Sequence, residues 1–146
     1  MNTSGVVSAP LFGWSEPFTV TANTVTTIEV PLGLMNNQSD IVDNKGVHIS
    51  SEDTIAVYAL SFQNATADAT VIYPVKSTGT DYRVQAYRGF PDIPSYSCEF
   101  LIVATADETE IEITATANTV GGHTAGTPWT IQLNQGESYQ VQAIID

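Results

Sequence analysis

Short segments of alternating polarity recur along this chain, and clusters of Gly, Asn, Asp and Pro separate them. The pattern is clearest at residues 109–114, where alternation places Ile111 and Ile113 on one side of an extended backbone and Glu110 and Glu112 on the other. Charged residues make up only 14% of the chain, which disfavours exposed helices built from Glu, Lys and Arg. The sequence therefore predicts an all-β fold, an antiparallel β-sandwich.

The same alternation and the turn residues predict where the strands lie. Residues 55–60 and 100–104 are apolar at both odd and even positions, so these strands are expected in the middle of a sheet with a covered outer face. Residues 36–46 are polar and end in Gly46, which predicts a long, mobile surface loop. Strands are predicted at residues 6–8, 18–22, 26–30, 46–50, 54–62, 69–73, 81–87, 99–105, 109–115, 129–133 and 138–143.

Two segments of the chain align with each other without a gap. Residues 18–30 and 129–141 share three identical residues at thirteen positions, and each begins with an aromatic residue. The turn at 134–137, Asn-Gln-Gly-Glu, predicts a hairpin or loop connection in the second segment, in which the glycine supplies a positive-φ position. Either the sandwich consists of two pseudo-repeated halves, or two unrelated amphipathic hairpins share a period. Under the first interpretation, strands are expected to be missing at both termini.

The charge balance excludes some partners. Four Lys and Arg residues against sixteen Asp and Glu give a net charge of −12, which would repel nucleic acid and anionic membrane surfaces. No apolar stretch approaches the length of a membrane-spanning helix, so membrane insertion is not expected. A length of 146 residues fits one sandwich domain, 1–146, which is expected to be excised from a larger protein.

Catalytic motifs are missing from the sequence. His48 and His123 are far apart and lack metal-ligand spacing, and no nucleophile elbow or phosphate-binding loop is present. The single cysteine, Cys98, adjoins an apolar run and is expected to be a buried, inert thiol. Carboxylate pairs such as Glu110 and Glu112 are explained by solvation on a strand face. The chain is therefore not expected to be an enzyme.

Several segments, taken together and in order, resemble a known family. These segments are residues 18–31, 46–49, 55–60, 67–69, 73–75, 79–82, 100–105 and 133–143. They resemble the amino-terminal domain of IgGFc-binding protein, versions of which occur in large bacterial surface proteins. The resemblance implies an extracellular, β-rich module with no catalytic residues to carry across.

Two kinds of ligand site are candidates. Asp40, Asp43 and Asn44 offer oxygen ligands next to a glycine, which is compatible with a structural calcium ion, although the spacing is not that of an EF-hand. No other cofactor is expected. The aromatic rings of Trp14 and Tyr87, the latter beside Arg88, are candidates for stacking on a sugar, whereas Trp129 is expected in the core.

These observations lead to one functional prediction and two alternatives. The chain is predicted to be an extracellular or cell-surface adhesion module that binds a protein or glycan ligand without catalysis. The first alternative is a carbohydrate-binding module that accompanies an enzyme. The second is a structural or filament subunit that self-associates, because unpaired strand edges can accept a strand from another copy or a neighbouring segment.

Overall fold

A computed structural model of the chain describes residues 2–63, 66–86 and 97–144. Within these ranges the regular structure consists of ten β-strands and three short 3-10 turns, and every pairing between strands is antiparallel. The strands are β1 (Thr3–Ala9), β2 (Trp14–Val20), β3 (Val42–Asp43), β4 (His48–Ser51), β5 (Val57–Gln63), β6 (Thr66–Ile72), β7 (Glu99–Val103), β8 (Thr109–Ile113), β9 (Trp129–Leu133) and β10 (Ser138–Gln142). The 3-10 turns are Pro10–Phe12, Leu32–Leu34 and Val75–Ser77.

The first sheet has the order β2-β1-β4. Thr3, Val7 and Ala9 are buried at alternate positions of the central strand β1, as a period of two requires. Gly5 lies opposite Phe18 of β2, and a Cβ atom at Gly5 would collide with the Phe18 ring and with the Ser50 carbonyl oxygen of β4. Glycine is therefore required here because both neighbouring strands approach it closely.

The hydrophobic core lies between two further sheets, of order β3-β10-β7 and β8-β9. The chain crosses from one sheet to the other after β7 and again after β9, so β7 and β8 lie in opposite sheets, as do β9 and β10. Side chains of both sheets form one cluster, in which Leu133 is fully buried. This two-layer packing confirms the sandwich. The buried members of the cluster are Ala104, Ile113, Leu133, Tyr139 and Val141.

Strands β5 and β6 form a separate two-stranded sheet with a register from Val57↔Ile72 to Gln63↔Thr66. The described side chains of β5 after Val57 and of β6 are exposed on both faces. This hairpin therefore extends from the rest of the fold without a covering layer in the described part of the chain.

Most of the predicted strands are confirmed, with shifted boundaries. Strand β8 places Ile111 and Ile113 toward the core and both glutamates in solvent, as the alternation predicted. The predicted strand at 26–30 is wrong, since these residues have no regular structure, and 81–86 also contains none. Residue 87, at the end of that second predicted strand, lies outside the described residues.

The prediction of a hairpin at 129–141 is wrong. Strand β9 pairs with β8, and β10 pairs with β7 and β3. The turn between β9 and β10 is hydrogen-bonded to the connection between β7 and β8. The Gly136 N–H donates to the Ala104 carbonyl at 3.0 Å, and the Ala104 N–H donates to the Glu137 carbonyl at 3.0 Å. Gly136 does adopt the positive φ expected there, 85°. The alignment of residues 18–30 with 129–141 therefore corresponds to similar structure only in its first strand. Strands β2 and β9 each pair with the strand that precedes them in the chain.

Three further predictions about position need correction. In the described chain, β5 and β7 lie at sheet edges rather than in the middle of a sheet. Residues 36–46 do not form a loop throughout, because they contain β3, and Ser39 also bridges to Gln140 of β10. Cys98 is half-buried rather than buried.

Candidate interaction site

The hairpin β5–β6 presents a continuous apolar surface to solvent. Alternation places Tyr58, Leu60 and Phe62 on one face, and their exposed fractions are 74%, 68% and 76%. Their cross-strand partners on β6 are Val71, Ala69 and Ala67. We call these six residues the hairpin face. Large exposed apolar surfaces of this kind mark interaction sites on soluble proteins.

The hairpin face carries no charge, in a chain whose net charge is −12. The only ionisable groups in the two strands are the Tyr58 hydroxyl and the Asp68 carboxyl. Asp68 pairs with Ser61, whose parity places it on the opposite face. A surface that is apolar and uncharged while the rest of the chain is acidic is suited to burial against another molecule.

A second cluster is built around the carboxylate of Asp40, whose side chain is only 5% exposed. Its Oδ2 atom accepts hydrogen bonds from the Gly121 N–H at 2.9 Å and the Ser39 hydroxyl at 2.5 Å. Its Oδ1 atom accepts one from the Tyr139 hydroxyl at 3.2 Å and lies 3.5 Å from His123 Nε2. The cluster thus joins the segment before β3, the loop before β9 and the core strand β10.

Local backbone geometry makes this contact possible. Asp40 has φ of 60°, a left-handed conformation that Asp tolerates better than most residues. A Cβ atom at Gly121 would overlap the Asp40 side chain, so only glycine lets its N–H reach the carboxylate. The close approach of residues 40 and 121 depends on both residue types.

Aromatic packing completes the Asp40 cluster. The imidazole of His123 stacks on the indole of Trp129, with ring centroids 4.0 Å apart and planes inclined by 5°. Burial raises the pKa of the Tyr139 hydroxyl above its ordinary value of 10.0, and the Asp40 charge adds to the rise. The indole N–H of Trp129 acts in the opposite direction on this pKa, although it makes no hydrogen bond of good geometry within the described chain. The cluster has the features of a structural polar network.

The three calcium candidates do not share one set of contacts. The Asp43 carboxylate lies 2.6 Å from Lys45 Nζ, and the Asn44 N–H donates to its other oxygen at 2.9 Å. The hydrogen bond from Lys45 is the main reason that the pKa of Asp43 is lowered from 3.8. Asp40 instead faces Gly121 and Tyr139. Across the described ranges, no three or more His, Cys, Asp or Glu side chains are placed to hold a metal ion. Calcium binding stays a prediction.

The sugar-binding candidates are only partly described. Trp14 begins β2, pairs with Ala9 and is half-buried. Tyr87 and Arg88 lie outside the described residues. Trp129 is half-buried and packs against the core cluster, where the sequence placed it. Glycan binding at Trp14, Tyr87 and Arg88 stays a prediction.

Sequence reasoning missed both features that the structure brings forward. The apolar residues 55–60 predict a covered strand, whereas Tyr58 and Leu60 are exposed. The contacts of Asp40 to Gly121 and Tyr139 span 81 and 99 residues of sequence, and no motif signals them. His48 is exposed on β4 and takes no part in the Asp40 cluster.

Comparison with known proteins identifies a family for this chain. A family model described as IgGFc binding protein matches residues 68–146, more than half of the chain. The chain belongs to this family of binding domains. The match begins within β6, so β5 and the earlier segments of the resemblance precede it. Searches of curated proteins and of solved structures found no significant match. No helix among the described residues is long and apolar enough to cross a membrane.

Proposed function

We propose that this chain is an extracellular interaction module that binds a protein partner through the hairpin face and performs no catalysis. The exposed, uncharged surface of Tyr58, Leu60 and Phe62 is the observation that carries the proposal. Membership of a family described as IgGFc binding protein supports a protein ligand and an extracellular location.

The size of the hairpin face supports this proposal. An aromatic side chain buries about 150–250 Å² when it packs, so Tyr58 and Phe62 alone offer about 300 Å². That value already reaches the lower limit of about 300–600 Å² for the largest apolar patch of a typical soluble monomer, a patch that is often functional. Tyrosine is also among the residues that contribute most to the affinity of interfaces. The face is therefore a suitable centre for a small or transient interface.

Binding to the Fc fragment of immunoglobulin G is the first experiment, because the description of the family names it. The purified chain is immobilised, and Fc and a panel of purified extracellular matrix and mucin proteins are passed over it. We expect at least one of these proteins to bind. The double variant Tyr58→Thr/Phe62→Thr is expected to weaken that binding by about tenfold or more, since two interface aromatics are lost.

The variant Val25→Thr provides a matched control. Val25 is 91% exposed in the irregular segment that follows β2, so its replacement removes an exposed apolar side chain outside the hairpin face. Threonine preserves strand propensity at residues 58 and 62, and both variants should keep the circular dichroism spectrum of the parent. The proposal fails if no protein of the panel binds, or if the Val25 variant weakens binding as much as the double variant.

A further inference from the structure

The outer edge of β5 is open in the described chain. Strand β5 pairs only with β6, so the backbone N–H and C=O groups on its other side have no strand to bond with there. Such an edge is a template for a further strand. A two-stranded hairpin is also marginally stable in water by itself, and a third strand would add both backbone hydrogen bonds and cross-strand side-chain contacts.

This edge lacks the features that usually prevent pairing. The outer strand β2 of the first sheet contains Glu16 and Pro17, and β8 presents two glutamates. Strand β5 has seven residues, none of which is charged or a proline. Strand β9 is also uncharged, but its outward side chains are Thr130 and Gln132, which are polar. Strand β7 also lies at a sheet edge and exposes Leu101 and Val103, but it carries the charged Glu99, and β6 carries Asp68. Among the described edge strands, β5 is therefore the one that combines an exposed apolar face with no charge and no proline.

The charge of the chain indicates what kind of strand would fit. A second copy would bring another net charge of −12 toward the first, and this repulsion opposes self-pairing at moderate ionic strength. A basic segment would instead be attracted. Asp68 on the neighbouring strand β6 is the one charged group of the hairpin, and it is acidic. A segment with apolar side chains at alternate positions would place them against the hairpin face.

We propose that the outer edge of β5 binds an extended, basic segment of a protein partner as a third strand, with its alternate apolar side chains on Leu60 and its neighbours in the hairpin face. This inference rests on the proposed function and specifies how the partner is held. Backbone hydrogen bonds provide the recognition, and the apolar face selects one side of the incoming strand.

The test uses a synthetic peptide in which Thr and Val alternate, with Lys at each end and a neutral fluorophore. Fluorescence anisotropy measures its binding to the chain. Two further peptides carry N-methyl groups, one on the Val residues and the other on the Thr residues. The N–H groups of alternate residues in a strand point to the same side. In a third strand, one set of N–H groups faces β5 and the other set faces solvent. We therefore expect one N-methylated peptide to bind like the parent, and the affinity of the other to be lower by about tenfold or more.

Three controls test the mode of binding. Replacing the terminal Lys residues of the peptide by Glu should weaken binding, and added salt should reduce the difference. Leu60→Thr should weaken binding, whereas Ala59→Thr, on the same strand but on its opposite face, should not. Light scattering shows whether the chain is monomeric, as expected.

Three outcomes overturn the inference, and a fourth overturns the proposed function alone. Equal binding of the two N-methylated peptides indicates simple adsorption to the apolar face, and a dimer that excludes the peptide indicates pairing between copies. If the parent peptide does not bind while a protein of the panel does, strand addition is refuted and the proposed function stands. If the peptide binds but no protein of the panel does, the proposed function fails by itself.

Discussion

Replacing Asp40 by alanine should destabilise the fold strongly, because one carboxylate serves four partners. The Tyr139 hydroxyl is buried and would lose its acceptor, which costs about 1–3 kcal/mol. The donors of Gly121 and Ser39 are more accessible to water and would add about 1 kcal/mol together. Alanine also tolerates the left-handed backbone less well than Asp. Relief of the buried charge offsets part of this loss, so we expect about 3 kcal/mol.

Urea unfolding followed by tryptophan fluorescence measures this loss, since Trp129 stacks on a member of the Asp40 cluster. The midpoint should fall while the slope stays unchanged. Asp43→Ala is the matched control in the same segment. It removes a partly exposed ion pair with Lys45 and should cost about 0.5 kcal/mol. Asp40→Asn keeps the backbone preference and one hydrogen-bond acceptor, so its loss of unfolding free energy should lie between those of Asp40→Ala and Asp43→Ala. A loss below about 1 kcal/mol in Asp40→Ala would refute the structural role of the cluster.

Three further predictions concern the core, a close strand contact and alkaline pH. Leu133→Ala should cost about 2–5 kcal/mol in urea unfolding, whereas Leu60→Ala should cost under about 0.5 kcal/mol; equal losses would contradict the assigned core. Gly5→Ala should cost about 1–3 kcal/mol, and Gly79→Ala, with open space around it, should be nearly neutral in the same assay. The folded state holds the Tyr139 proton at pH values where the unfolded state releases it, so wild-type stability should fall above about pH 10. Tyr139→Phe should show a smaller fall in thermal midpoint over this range, and an identical fall would count against the raised pKa of Tyr139.

The sequence was most informative where one face of a strand is exposed to solvent and the other faces the core. In β8 the positions of Ile111 and Ile113 follow from the backbone period alone, because successive side chains of a strand point to opposite faces. Turn chemistry also acts locally, and Gly136 adopts the positive φ expected of it. Fold class and most strand positions could therefore be predicted without knowing which strands pair with each other.

The pairing of strands could not be predicted in the same way. Residues 129–141 have the pattern of a hairpin, but their two strands separate into facing sheets and pair with distant partners. Alternation fixes which side chains are apolar, and it does not fix whether a neighbouring strand lies beside them or across the core. The apolar residues 55–60 were expected to be covered for the same reason, yet Tyr58 and Leu60 are exposed.

The sequence by itself determined the extended backbone, the apolar face of each strand, the acidity of the chain and its family resemblance. Only the tertiary structure decided that Asp40 meets Gly121 and Tyr139 and that β5 has an open edge among the described residues. The physical reason is range. Steric preferences and side-chain period act over a few residues, whereas burial and hydrogen bonding select contacts between segments that lie far apart in the chain.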